Sequence, residues 1–247
     1  SGLAGAVCAE PLEKPASAST VAAQRALLES LPKDDGRDSG FADRGFLATL
    51  SDPLIKAKDG KVVWNLDAYD WMKGNTAPES VNPSLWRHMG LLRKHGLFAL
   101  SENMWQVRGF DVSNMTVIKG QSGWILIDPL TTRETAGAAL RLVNETLGAR
   151  PVSAVIYSHS HGDHFGGVRG VVNEADVKAG KVQIVAPEHF MAETASENVM
   201  AGPAMGRRAN FQFGSHLQPG PFGQMGSGIG RGISGGDITL IAPTIDI

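Results

Sequence analysis

The sequence predicts an α/β fold in which a sheet is covered by helices, and two such halves packed sheet to sheet make a four-layer αββα sandwich. Three observations lead there. Short apolar runs separated by turn residues follow one another in "GLFAL", "MWQVRG" and "SNMTVIKGQSGWILIDP", a meander of strands. A strongly periodic segment, "TTRETAGAALRLVNETLG", comes next as a helix. The apolar runs "VSAVIYSHS" and "KVQIVAP" then read as buried strands, the second leading into a helix from about 188 to 200. With 247 residues, 42% of them hydrophobic, the chain can build one sizeable core or two smaller ones.

Taken from the N-terminus, "SGLAGAVCAEP" resembles the end of an apolar signal-sequence core running into a small-residue cleavage site, with Val7 and Ala9 at the tested positions. Residues 1–9 are then a signal-peptide remnant and the protein is periplasmic or secreted. The other reading is a small-residue N-terminus of no consequence, because a positively charged leader is missing. Residues 10–89 form an arm and lead-in, with a helix from Thr20 to Ser30 and a hairpin in "KDGKVVWNL". Residues 90–247 form the main domain. Its helix carries Thr131 and Glu134 at capping-box spacing and Gly148 as its stop. Residues 214–236 are glycine-dense and read as a long loop, and "DITLIAP" offers a last strand.

The formal charge of −2 and the lack of any Lys/Arg block give no electrostatic footprint for a nucleic-acid partner. No apolar stretch approaches the roughly 18 residues of a membrane span. Cys8 is the single cysteine, so no disulfide forms within the chain, and a metal site must use His, Asp and Glu.

Such a site is concentrated in "YSHSHGDHFGG", residues 157–167. His159 and His161, two apart at a strand end, face the same way, while Asp163 and His164 lie just beyond, free to reach a second ion. Gly162, Gly166 and Gly167 let the backbone turn there. Zinc accepts imidazole nitrogen and carboxylate oxygen, and a catalytic site keeps a position for water. The alternative, polar loop residues satisfied by hydrogen bonds, suits a lone histidine better than this arrangement.

The H-x-H-x-D-H pattern of His159, His161, Asp163 and His164 resembles that of the metallo-β-lactamase superfamily. The resemblance implies an αββα fold, two zinc ions held in part by these four residues, and hydrolysis by a metal-activated water with Asp163 in the catalytic centre. "EHFMAETASENVMAGPAMGRRANFQFG", "GNTAPESVNPSLWRH" and "GLFALSENMWQVRGFDVSNMTVIKG" are similar to segments of the alkyl sulfatases within it. That similarity implies an alkyl sulfate substrate, export, and a homodimer formed through regions beyond this chain. It also implies further ligands, two glutamates and a histidine, beyond Ile247, so that residues 90–247 are a catalytic domain truncated on its C-terminal side. Four ligands do not fill two tetrahedral sites that also hold water. His189, His216 or an acidic residue is the alternative completion.

A sulfate ester needs donors for its oxygens, and Asn198, Thr194, Ser196, Arg207 and Arg208 are the candidates. Thr194 and Asn198 share a helical face, with Ser196 turned away unless the helix distorts. The two arginines also read as solvated surface charge. Phe211 and Phe213 are candidates for an apolar wall, or else alternating strand core. Phe213 stands where the primary alkyl sulfatases carry tyrosine, which points to the secondary-alkyl, inverting type. Asp128, ending "WILID", reads as an acceptor orienting a ligand imidazole, or as a turn-starting residue before Pro129. The rival functions are another hydrolase of the superfamily, a lactamase or thioesterase, and a module that binds metal only to fold.

Overall fold

The computed structural model describes residues 14–247, so the signal-peptide expectation for residues 1–9 lies outside the described residues. The expected arm is present as two helices, α1 (Ala18–Ser30) and α2 (Arg37–Asp43), neither with a buried residue. The arm is tied to α3 (Pro83–Leu92) and the turn before it by charge: Arg87 of α3 donates to Asp34, between the two helices, and to Asp38 of α2, and Arg25 of α1 donates to Glu79. Exposed pairs of this kind contribute little each.

Eight strands form one mixed sheet in the order β1, β4, β5, β6, β7, β8, β9, β10. They are β1 (Phe46–Ala48), β4 (Gly96–Ser101), β5 (Met104–Arg108), β6 (Met115–Lys119), β7 (Trp124–Ile127), β8 (Val152–Ile156), β9 (Gln183–Ala186) and β10 (Ile245–Asp246). The first half is antiparallel; β7 to β10 run parallel. Antiparallel neighbours need only tight turns, whereas parallel ones need crossovers, and α4 (Arg133–Leu147) supplies the first, between β7 and β8. The expected hairpin is β2 (Leu54–Lys56) with β3 (Val62–Asn65), turning at Gly60 with φ of 86°. The core is where the strand alternation places it: Met115, Val117, Trp124 and Leu126 are buried, and Ala136, Ala139, Leu142 and Val143 of α4 join them.

Four expectations need correction. Thr131 and Glu134 do not form a capping box. Thr132 is the N-cap of α4, while the Thr131 hydroxyl donates to Asp111 at 2.7 Å and Glu134 accepts from the Asp237 amide at 2.9 Å. Both side chains were drawn off by tertiary partners. "DITLIAP" is not a strand: its Thr239 amide donates to the Gly166 carbonyl at 2.7 Å, and only Ile245–Asp246 beyond it pair with β9. The helix expected over 188–200 divides into α7 (Phe190–Ala195) and a π-turn (Ser196–Met200), and α8 (Gly202–Phe213) continues it. Phe211 and Phe213 therefore sit on a helix, where residues two apart diverge, and Phe211 is 92% exposed, so the two make no common wall.

The glycines after the histidines answer to space. A Cβ on Gly167 would lie 2.0 Å from the Pro129 carbonyl oxygen and 2.6 Å from the Ala136 Cβ. Gly167→Ala is expected to cost about 3 kcal/mol as overpacking of backbone against backbone, seen as a lower urea midpoint. Gly202→Ala, with open space around it, is the control and should leave the midpoint in place.

Candidate metal centre

β7 and β8 run parallel and deliver their C-terminal ends to one edge of the sheet, with Asp128 following the first and Ser158 to His164 the second. β8 ends at Ile156, so His159 and His161 stand on the loop beyond the strand end expected for them, while Asp163 and His164 lie past the strand as expected, on α5 (Gly162–Phe165). The loop nevertheless gathers them. The His159 ring lies 4.7 Å from that of His161 and 4.1 Å from that of His164, centre to centre. Asp163 Oδ2 is 3.1 Å from His164 Nε2. The main chain is held as well, since the Ser113 hydroxyl donates to the Asp163 carbonyl.

Asp128 organises this edge. Its backbone is left-handed, with φ of 57°, a conformation that Asp tolerates better than most residues. Its carboxylate accepts from the Ser158 amide at 2.8 Å, the Ser158 hydroxyl at 2.7 Å and His164 Nδ1 at 2.8 Å. Its contact with a ring of the cluster is the one to His164.

The electrostatics divide the rings. Burial, aided by the charges of His164 and His161, pushes the pKa of His159 down. Burial also works against a charged His164, but hydrogen bonds to Asp128 and Asp163 outweigh it and push its pKa up to about 9. Asp163 is shifted the other way: burial opposes its ionised form, yet the contact with His164 keeps it below the usual carboxylate range. The carboxylates of Asp128 and Asp163, which favour positive charge on His164, favour a cation beside them for the same reason.

A second helical segment closes over the cluster. Glu197, in the π-turn, places Oε1 2.8 Å from His161 Nε2, and its other oxygen accepts from Ser160 at 3.3 Å. Asn198 spends both amide hydrogens on backbone carbonyls, Ser160 at 3.0 Å and Thr194 at 2.9 Å. It clamps the histidine loop, so it has no N–H left for a sulfate in this arrangement. Thr194 is buried with its hydroxyl unpartnered, and Ser196 opens the π-turn, the distortion its expected role required. Arg207 and Arg208 are exposed on α8, and Phe213 is half-buried at its end. His189 and His216 are exposed, and the contacts of the cluster come instead from Asp128, Ser158 and Glu197.

Among the described residues, no three His, Cys, Asp or Glu side chains form a ready-made cage for one ion. In kind, the donor set fits one: imidazoles and a carboxylate within contact of each other.

A model of the metallo-beta-lactamase superfamily matches residues 108–236, more than half of the chain. The chain belongs to this superfamily. Membership implies metal ions, typically zinc, for which His159, His161, Asp163 and His164 are the residues at hand. The chain is 49% identical over 232 residues to a linear primary-alkylsulfatase of a Pseudomonas species, covering 94% of this chain and 34% of that protein. It is 46% identical over 241 residues to an (R)-specific secondary-alkylsulfatase, also from Pseudomonas, covering 97% of this chain and 36% of the relative. Among solved structures, the stereoselective inverting sec-alkylsulfatase Pisa1 from Pseudomonas superposes with a TM-score of 0.90 at 46% identity, covering 95% of this chain and 37% of that one. The chain thus spans about a third of the length of these relatives.

Glu197 was missed in the sequence. The signal available was its place beside Asn198 in a segment already singled out, but a glutamate on a helix is an ordinary residue.

Proposed function

We propose that the protein hydrolyses alkyl sulfate esters to an alcohol and inorganic sulfate, using two zinc ions held in part by His159, His161, Asp163 and His164. The observation that carries this is the cluster at the C-terminal ends of parallel strands, in a chain whose long, high-identity relatives are named alkylsulfatases. Zinc bound there would supply Lewis acidity and make water a competent nucleophile near neutral pH. The residues of the chain supply the rest. Asp128 and Glu197 fix ring orientations, Asp163 brings negative charge to the cluster, and Arg207 and Arg208 offer guanidinium groups for sulfate oxygens. The finer reading is a secondary alkyl sulfate hydrolysed with inversion at carbon, supported by Phe213, which presents no hydroxyl to the ester. We also place the protein in the periplasm or outside the cell, as a homodimer.

The test is sulfate release from a chiral secondary alkyl sulfate by the zinc-loaded protein in oxygen-18 water. Label in an alcohol of inverted configuration supports attack at carbon. Label in sulfate alone overturns the inverting reading, and a fully loaded protein that releases no sulfate from primary or secondary substrates overturns the sulfatase reading. Opening of nitrocefin instead would move the function to a lactamase.

A further inference from the structure

Each imidazole of the cluster has one nitrogen engaged by an outer group, and the pattern of engagement is not uniform. The Ser158 hydroxyl donates to Asp128 Oδ2 at 2.7 Å, so toward His159 Nδ1, 2.9 Å away, it accepts. The Nδ1 of His159 then carries the hydrogen and Nε2 keeps the lone pair. His164 follows the same rule, because Asp128 accepts from its Nδ1 at 2.8 Å. In His159 this leaves Nε2 for a cation, and in His164 Nε2 faces Asp163 Oδ2 at 3.1 Å, so a cation there would take the place of the shared hydrogen.

His161 is turned the other way. Its outer partner is the Glu197 carboxylate, 2.8 Å from Nε2. An ionised carboxylate only accepts, so Nε2 holds the hydrogen and Nδ1 holds the lone pair. The ring needs such a partner more than its neighbours do. The His161 side chain is 52% exposed against 23% for His164, and little packing fixes its rotation. Glu197 is itself held, accepting also from Ser160, while Asn198 beside it grips the Ser160 carbonyl. Two consecutive residues of a π-turn thereby hold two consecutive residues of the metal loop, and π-turns inside helices occur often at functional sites.

The geometry points to Glu197 as a positioning residue that selects Nδ1 of His161 as its metal-binding nitrogen, opposite in sense to the Nε2 nitrogens of His159 and His164. It acts through His161 and touches neither substrate nor reacting atoms. The inference rests on the metal reading of the cluster and is independent of which ester is hydrolysed. Outer carboxylates on ligand imidazoles fix tautomer and orientation, and their loss lowers metal affinity about 10–100-fold.

The experiment measures zinc affinity by competition with a chromophoric chelator, and the His161 tautomer by two-bond proton–nitrogen NMR, in wild type, Glu197→Ala and Glu197→Gln. The wild-type protein should show His161 protonated at Nε2. Glu197→Ala should lose about 10–100-fold in affinity and give mixed tautomers, whereas Glu197→Gln, which keeps an acceptor oxygen, should recover most of both. Glu197 has no core contact to lose, so the metal-free melting temperature should not change. Wild-type affinity in Glu197→Ala, or a His161 that carries its hydrogen on Nδ1 in the wild type, overturns the inference. So does an affinity loss matched by a lower melting temperature with the tautomer unmoved, the mark of a purely structural role. A protein that behaves as expected here yet cleaves no sulfate ester would overturn the proposed function and leave this inference standing.

Discussion

Asp128→Ala is expected to lower zinc affinity about 10–100-fold and to take hydrolysis down with it. Three donors converge on this carboxylate: the Ser158 amide, the Ser158 hydroxyl and His164 Nδ1. Removing it frees the His164 ring to turn and leaves the Ser158 hydroxyl, which orders His159, without its acceptor. Two of the three imidazoles lose their orientation through one substitution. Stability should fall too, by about 2–4 kcal/mol, since each donor left without a partner costs about 1–3 kcal/mol and solvent reaches only part of this edge. Alanine also accepts the left-handed backbone at this position less readily than aspartate. Asp128→Asn should fall between the two, because it keeps one acceptor oxygen and tolerates the same backbone. Zinc titration and thermal unfolding measure the two effects separately. Wild-type affinity in Asp128→Ala would mean that His164 is oriented by something else.

What was legible in the sequence was what is local. Four chemical side chains within six positions announce themselves wherever they stand, and the strands delivering them are short β-branched runs whose periodicity survives in a single sequence. Asp128 was legible for a similar reason, as a carboxylate at the end of an apolar strand. The misreadings share one cause, competition from partners far along the chain. Thr131 and Glu134 had capping-box spacing, but Asp111 and Asp237 hold them. "DITLIAP" alternates as a strand should, yet its Thr239 is tied to Gly166. Glu197 lies 36 positions from His161, and only the fold brings them together. Phe211 and Phe213 alternate on paper because a helix and a strand can share a two-residue interval. Distinguishing the two needs a longer periodic run than "NFQF" provides.

The largest effect on stability should come from Asp111→Ala, away from the metal loop itself. Asp111 is 2% exposed, and among the described residues it makes no ion pair. Its charge is carried by hydrogen bonds: from the Thr131 hydroxyl at 2.7 Å, the Thr135 hydroxyl at 3.0 Å, the Ser234 amide at 3.1 Å, and the Ser234 hydroxyl. These donors come from the turn entering α4, from α4 itself, and from the glycine-dense loop that returns to the sheet edge. One carboxylate thus joins three stretches of chain distant in sequence, its own, residues 131–135 and the loop at Ser234. Truncating it strands several buried donors with no route to water, each costing about 1–3 kcal/mol, so a loss of about 3–5 kcal/mol is expected, read as a lower urea midpoint with an unchanged slope. Asp111→Asn should cost less: the hydroxyls can rotate to accept from the amide, whereas the Ser234 backbone N–H cannot. The damage should also reach the metal loop. Ser113, two residues on, holds the Asp163 carbonyl, and the 129–132 turn packs its carbonyls against Gly166 and Gly167. Zinc affinity should therefore fall along with stability in Asp111→Ala, where Glu197→Ala lowers affinity alone. A midpoint close to that of the wild type would show that the three segments are held by packing and that the carboxylate network is incidental.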